Sequence, residues 1–176
     1  MLLAIALVPA AATHRATAFW ILLGASLASD GLDGLLARRW RTTSDLGRRL
    51  DSAGDYVLVL AVVPSLILLW PAVVRRELGW VVLAVVAYFL PTLWSLLRWR
   101  TVPGLHTRAS KAAAVAMAVA LPLMLLGGSP VPFRILAALQ VLVAAEELAI
   151  LHWLPGHSGE VPSLAHARRH RHPSAP

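Results

Sequence analysis

Three long runs without a charged residue constrain this chain more than any other feature of its sequence. They cover residues 56–74, 78–97 and 112–133, which are 19, 20 and 22 residues long. A helix rises about 1.5 Å per residue, so each run is about 30 Å long as a helix and matches the hydrocarbon thickness of a bilayer. The sequence therefore predicts an all-α, polytopic membrane protein.

The overall composition supports the same class. Of 176 residues, 58% are hydrophobic and 14% are charged, whereas soluble domains have about 25% charged residues. The chain has no cysteine, which excludes disulfides, thiolate catalysis and cysteine metal sites. The formal net charge is +7. In a membrane protein this charge favours anionic lipid, and not nucleic acid, as the partner.

The hydropathy pattern predicts a bundle of six transmembrane helices, the first of them short. The expected bounds are residues 1–12, 16–38, 46–74, 78–97, 109–126 and 133–154. The third helix is expected to be kinked at Pro64. Residues 1–155 are predicted to form the transmembrane domain and residues 156–176 a basic tail rich in histidine and arginine, solvated or in contact with anionic lipid.

The distribution of Lys and Arg predicts the orientation of the bundle. Six helices place both termini on one side, and 12 of the 16 Lys and Arg residues then fall on that side. Because Lys and Arg favour cytoplasmic loops, the loops at 39–46 and 98–108 and the tail are predicted to be cytoplasmic. We expect an integral protein of a bacterial cytoplasmic membrane.

All five aspartates lie within 26 positions of an otherwise apolar chain. Asp30 and Asp33 are three apart and Asp51 and Asp55 are four apart, so each pair shares a helix face. A short turn joins the two helices, which predicts antiparallel neighbours and convergence of the four carboxylates. Such hard oxygen ligands suit Mg²⁺ or Mn²⁺, and two ions are expected. Asp45 lies outside this pattern and is expected to begin a helix.

Small residues and an arginine accompany the carboxylates. Gly34, Ala37 and Gly47 leave room for a ligand near the backbone, and Arg38 offers a fork of donors to phosphate. Two divalent ions can neutralise a diphosphate and stabilise both the attacking and leaving oxygens. Together these residues predict a phosphate-handling site at the cytoplasmic side of the membrane.

The two aspartate segments resemble a known family signature. The chain reads DGLDGLLAR, then eight further residues, then GRRLDSAGD. This arrangement is similar to the signature of the CDP-alcohol phosphatidyltransferase family, which is DxxDGxxAR, about eight residues, and then GxxxDxxxD. All eight defining positions are present, and the six-helix layout is similar too. The sequence differs at its start, where it opens on MLL without the polar lead that family members usually carry.

The resemblance implies an enzyme that transfers a phosphoalcohol unit from a CDP-linked donor to an acceptor hydroxyl and releases CMP. It implies metal binding by Asp30, Asp33, Asp51 and Asp55, with Asp55 also acting as general base. It implies that the CDP unit is held by Gly34, Ala37, Arg38 and Gly47. CDP-diacylglycerol is the expected donor because the bilayer supplies it, and a homodimer is implied as well.

A second, basic cluster is predicted on the cytoplasmic side and consists of His106, Arg108 and Lys111, the last being the single lysine of the chain. It would suit a phosphorylated acceptor, or it could anchor the chain at the membrane surface. The expected acceptor is glycerol 3-phosphate, which gives phosphatidylglycerophosphate. Inositol phosphate is the alternative.

Three further interpretations are left open by the residues. The acidic cluster could serve divalent-cation transport or binding, although transport does not require the glycine and arginine spacing of the signature. The chain could also be an inactive relative with a structural role, although intact Asp51 and Asp55 argue against this. Glu146 and Glu147 interrupt the last apolar run, and could line a polar cavity or lie at the membrane interface.

Overall fold

A computed structural model of the protein describes residues 2–40, 45–100 and 107–153, with side chains described at 3–29, 32, 53–100 and 107–153. These residues form helices and short turns, without a strand among them. The all-α class predicted from the sequence is confirmed. The chain divides into two compact units, Met1–Arg76 and Glu77–Pro176. The predicted domain boundary at residue 155 and the tail lie outside the described residues and stay predictions.

The described residues of the first unit form five helices: α1 (Leu2–Ile5), α2 (Leu7–Ala12), α3 (Ala16–Trp40), α4 (Asp45–Leu69) and α5 (Pro71–Arg76). The single helix predicted over residues 1–12 is interrupted at Ala6. Pro9 has no N–H to donate to the carbonyl of Ile5, four residues earlier, so the helical ladder has a gap there. Both α1 and α2 pack against α3 and against α4.

The helix predicted over residues 46–74 ends earlier than expected. Helix α4 continues through Pro64 and ends at Leu69, and α5 follows after Trp70. A residue that precedes a proline disfavours the helical region, which explains the break at Trp70, immediately before Pro71. Next to Pro64, the fully buried Ser65 donates a hydrogen bond from Oγ to the carbonyl oxygen of Ala61 at 2.7 Å.

In the second unit, the part of the chain that the structure describes forms three long helices: α6 (Leu78–Trp99), α7 (Arg108–Leu125) and α8 (Val131–Trp153). Helix α8 packs against both α6 and α7. The turn from α7 to α8 depends on two glycines. Gly127 has φ +87°, and a Cβ at Gly128 would lie 2.6 Å from the carbonyl oxygen of Leu123. This turn agrees with the helix end predicted from the sequence at residues 127–132.

Length and composition identify three described helices, α6, α7 and α8, as able to cross a membrane. Large apolar side chains are exposed on them, such as Leu97 at 77% and Val115 at 70%, as expected for surfaces that face lipid. The other apolar segments are shorter and comprise Leu3–Ala12, Ala16–Ser29 and Ala53–Leu69. The protein is therefore an integral membrane protein of helical type, and the count of six crossings stays a prediction.

Candidate active site

The predicted aspartate pairs lie on two long helices of the first unit. Asp30 and Asp33 belong to α3, and Asp51 and Asp55 belong to α4. Both helices are continuous through these positions, so separations of three and four residues place each pair on one helix face. The aspartates also mark the ends of the apolar segments, because Asp30 directly follows Ala16–Ser29 and Asp55 lies in the first turn of Ala53–Leu69.

An aromatic cluster shows how α3 and α4 run relative to each other. The ring centroid of Trp70, just after α4, lies 5.5 Å from that of Phe19 and 5.3 Å from that of Trp20, both in the first turns of α3. The end of one helix is therefore next to the start of the other. This contact is the one that the predicted antiparallel arrangement requires at this end of the two helices. The described residues place α1 and α2 against both α3 and α4, and direct packing of α3 along α4 stays a prediction.

An antiparallel arrangement would bring Asp55 to the level of the first aspartate pair. Asp33 is 14 residues beyond Phe19 and Asp55 is 15 residues before Trp70, or about 21 and 23 Å along the helices. Counted from the opposite end, Asp30 lies ten residues before the end of α3 and Asp55 lies ten residues after the start of α4. In straight antiparallel helices Asp55 would thus be level with the turn of α3 that carries Asp30 and Asp33, and this alignment stays a prediction.

The structure describes only part of the predicted metal site. Asp55 is half-buried, whereas the side chains of Asp30, Asp33 and Asp51 lie outside the described residues. Within the described part of the chain, no group of three His, Asp or Glu side chains is placed to hold a metal ion. Convergence of the four carboxylates on shared ions therefore stays a prediction.

The residues predicted to hold the CDP unit are likewise placed by their backbone. Gly34, Ala37 and Arg38 lie in the last turns of α3, and Gly47 lies in the first turn of α4. Their side chains lie outside the described residues. All four positions adjoin the chain segment that connects the two helices, as the sequence predicted, and their role in nucleotide binding stays a prediction.

The basic cluster is divided between described and undescribed residues. His106 lies outside the described residues, whereas Arg108 and Lys111 occupy the first turn of α7 and are exposed. Thr107 caps this helix, and its side-chain oxygen accepts a hydrogen bond from the Ser110 backbone N–H at 3.1 Å. The two cations therefore lie on a well-capped helix start, where the helix dipole favours an anion.

Comparison with known proteins decides the family. A sequence model of the CDP-alcohol phosphatidyltransferase family matches residues 1–153. The chain belongs to this family. The matched range contains all eight signature positions, from Asp30 to Asp55, and the whole of α1 to α8.

One curated relative of this phosphatidyltransferase family is a cardiolipin synthase (CMP-forming) of Streptomyces coelicolor. It is 35% identical over 139 residues, which cover 78% of this chain and 64% of the relative. The chain thus spans slightly less than two thirds of the relative's length. No solved structure matches the chain significantly.

Glu147 occupies a position that sequence reasoning left open. It lies half-buried on α8, near the side chain of Ser110 on α7. This position agrees with the packing of α7 against α8. Glu147 therefore lies close to a neighbouring helix within the second unit, an arrangement that the apolar pattern alone could not distinguish from an interfacial position.

A buried ion pair of the second unit was missed by sequence reasoning. Glu77, predicted to lie in a short loop, directly precedes α6 and is fully buried, and its carboxylate pairs with Arg134 in the first turn of α8. Two separate signals were present in the sequence: the acidic residue Glu77 directly before one apolar run, and Arg134 near the start of another apolar run. Nothing in the sequence connected the two, which are 57 positions apart.

Proposed function

We propose that the chain catalyses transfer of a phosphatidyl group from CDP-diacylglycerol to an acceptor hydroxyl, with release of CMP. The observation that carries this proposal is the complete eight-position signature on α3 and α4 in a member of the CDP-alcohol phosphatidyltransferase family. The contact of Trp70 with Phe19 and Trp20 supports it, because antiparallel helices that meet at this end would have Asp55 level with the Asp30–Asp33 turn. The apolar segments that end at the aspartates suit a lipid-linked donor.

The donor set of the signature fits a divalent metal centre. Four carboxylates on two helices that are consecutive in the chain offer hard oxygen ligands, which Mg²⁺ and Mn²⁺ prefer. Neither cysteine nor histidine, which would favour zinc, is part of the signature. The proposed ligands are Asp30, Asp33, Asp51 and Asp55. Bound there, two such ions would neutralise the diphosphate and stabilise the charge that develops on it.

The chain's own residues would then bind, orient and accept a proton. Gly34, Ala37 and Gly47 leave space for the nucleotide, and Arg38 donates hydrogen bonds to a phosphate. The acceptor oxygen attacks the phosphorus that carries diacylglycerol, the bond from this phosphorus to the bridging oxygen breaks, and CMP leaves with the electron pair. Asp55 takes the proton of the hydroxyl. A carboxylate is a weak base, and its fixed position beside the hydroxyl compensates.

The acceptor follows from the relative and from the basic cluster. We propose phosphatidylglycerol, because the similar Streptomyces coelicolor protein is a CMP-forming cardiolipin synthase and phosphatidyl transfer to phosphatidylglycerol yields cardiolipin. The phosphodiester of this lipid could bind at Arg108 and Lys111. Glycerol 3-phosphate, predicted from the sequence, presents a similar anion and is the alternative that the assay must separate.

The proposal also includes the orientation and assembly of the protein. The excess of Lys and Arg on one predicted side supports a site that opens to the cytoplasm of a bacterial cell. The family resemblance supports a homodimer. The orientation is tested in oriented vesicles, and the homodimer is tested on protein purified in detergent.

The deciding experiment supplies labelled CDP-diacylglycerol to the purified protein with one acceptor at a time. We expect CMP release and labelled cardiolipin with phosphatidylglycerol, and neither product with Asp55→Asn. Labelled phosphatidylglycerophosphate from glycerol 3-phosphate would replace the proposed acceptor and keep the reaction type. Divalent-cation flux into vesicles without CMP release from any acceptor would contradict the enzymatic proposal.

A further inference from the structure

Ser26 on α3 carries a buried hydroxyl group that no described residue pairs with. Its side chain is 6% exposed, and its Oγ has no hydrogen-bond partner among the described residues. A buried serine in a helix commonly donates to the carbonyl four residues earlier. Ser65 on α4 does so with Ala61, whereas Ser26 does not use the corresponding carbonyl of Leu22. Since an unpaired buried hydroxyl is costly, this one is available to another acceptor.

The buried face of α3 leads from Ser26 to the first aspartate pair. Among the described side chains of this helix, the buried ones are Phe19, Leu23 and Ser26, which are four and then three positions apart. The same alternation of four and three continues to Asp30 and Asp33. Residues at this spacing lie along one face of a helix. Ser26 is therefore one helical turn before Asp30 on a shared face.

Helix geometry favours a hydrogen bond between residues at these two positions. Side chains four positions apart have their Cβ atoms about 5–6 Å apart. Each Cα–Cβ bond tilts toward the helix N-terminus, so the later residue of such a pair covers the turn that carries the earlier one. A hydroxyl can donate one hydrogen bond, and an ionised carboxylate only accepts. Asp30 is therefore the acceptor that the sequence places within reach of Ser26.

We propose that Ser26 is a positioning residue for the metal ligand Asp30: its hydroxyl donates to one carboxylate oxygen and leaves the other for a divalent ion. The inference rests on the proposed function, which makes Asp30 a ligand. Ser26 touches neither the ion nor the substrate in this role. Loss of a hydrogen bond that orients a metal ligand typically costs about 10- to 100-fold in metal affinity. Because Ser26 is buried, water does not replace the lost donor.

The test titrates Mn²⁺ alone onto the purified full chain in detergent and measures free Mn²⁺ by electron paramagnetic resonance. Ser26→Ala should weaken Mn²⁺ binding about tenfold or more. Ser26→Thr and Ser26→Val have side chains of nearly equal size and differ in the hydroxyl. Both disturb the packing alike, so tighter Mn²⁺ binding by Ser26→Thr than by Ser26→Val isolates the hydrogen bond. Equal affinities of these two variants would overturn the positioning role.

Ser65→Ala is the matched control, because Ser65 is a fully buried serine of α4 whose hydroxyl already bonds to the Ala61 carbonyl oxygen. It should leave Mn²⁺ affinity unchanged. The melting temperature of the metal-free protein should not fall in Ser26→Ala, because this variant removes a hydroxyl that no described residue pairs with. If both variants lowered Mn²⁺ affinity in proportion to a loss of melting temperature, the effect would be structural and the positioning role would be wrong.

The Mn²⁺ titration also separates this inference from the proposed reaction. Tighter Mn²⁺ binding by the wild type than by Ser26→Ala, without CMP release from any acceptor, would contradict the reaction and support the positioning role. Equal Mn²⁺ affinity of the two proteins, with CMP release by the wild type, would overturn the positioning role and leave the reaction in place. Absence of Mn²⁺ binding by the wild type would contradict the carboxylate metal centre and the positioning role with it.

Discussion

Arg134 and Glu77 form a two-point ion pair between the starts of α8 and α6. Arg134 Nε donates to Glu77 Oε2 at 2.8 Å, and Nη2 donates to Oε1 at 2.9 Å. The Glu77 side chain is fully buried while Arg134 keeps 40% of its surface exposed. A buried carboxylate is costly when its hydrogen bonds are lost, so this pair stabilises the packing of α8 against α6.

Replacing Arg134 should destabilise the second unit. Arg134→Ala removes both hydrogen bonds to the buried Glu77 carboxylate, and we expect a Tm lower by roughly 5 °C or more. Arg134→Lys keeps the charge without the two-point geometry and should lie in between. Arg75→Ala is the control, since Arg75 is exposed and its hydrogen bond among the described residues goes to the Pro71 carbonyl oxygen of its own helix. Equal melting temperatures for Arg134→Ala and Arg75→Ala in detergent would contradict the assigned role.

The sequence predicted the bounds of a helix well where a single apolar run defines that helix. For example, residues 78–97 were predicted to be helical and the observed helix is Leu78–Trp99. Hydropathy failed where backbone chemistry interrupts an apolar run: the run at 56–74 continues past Leu69, but Pro71 ends the helix there. The interruption at Ala6 has the same kind of cause.

Part of the candidate site could also be predicted, because that part depends on residues that lie close together in the chain. Spacing alone places Asp30 with Asp33 and Asp51 with Asp55, and a short connection predicts that α3 and α4 are antiparallel. The pairing of Glu77 with Arg134 joins residues that are distant in the chain. Such contacts depend on how α8 is rotated against its neighbours, which a hydropathy pattern does not specify.

Metal removal tests the carboxylate site. Chelation should abolish CMP release, and Mg²⁺ or Mn²⁺ should restore it, because the proposed ligands are all carboxylates. Asp55→Asn should lower kcat about 10²- to 10⁴-fold, the range expected for a lost general base. Asp45→Asn changes the same functional group at the start of α4, outside the signature, and should retain activity. Full activity of Asp55→Asn in a metal-free assay would exclude the assigned role.

Neutralising the exposed cations of α7 tests the acceptor site. Lys111→Gln and Arg108→Gln should each raise the acceptor KM about tenfold, since each removes a charge-assisted bond to phosphate. The KM for CDP-diacylglycerol should not change. Arg98→Gln is the control, because Arg98 is an exposed cation in the last turn of α6. If all three variants shift acceptor binding equally, these residues act only through general surface charge.

The tight turn between α7 and α8 predicts a contrast between two glycines. A Cβ at Gly128 would lie 2.6 Å from the Leu123 carbonyl oxygen, whereas a Cβ at Gly79 would meet nothing within 4 Å. Gly128→Ala should therefore lower the Tm by several degrees. Gly79→Ala in the first turn of α6 should be neutral or stabilising by up to about 1 kcal/mol, because alanine favours helix. Thermal unfolding of both variants measures the contrast, and equal effects would contradict it.

The absence of cysteine makes the six-crossing prediction directly testable, because a single introduced cysteine would be the only thiol. Ser129, in the turn after α7, and Thr13, in the turn after α2, are exposed. If the chain crosses six times, both lie opposite Arg100 at the end of α6. A membrane-impermeant maleimide added outside intact cells should therefore label Ser129→Cys and Thr13→Cys but not Arg100→Cys. Lysed cells, in which all three should react, provide the control. If Thr13→Cys reacted only after lysis, as Arg100→Cys should, Thr13 and Arg100 would lie on the same side of the membrane. The segment from α3 to α6 would then cross the membrane an even number of times, and the six-helix topology would be wrong.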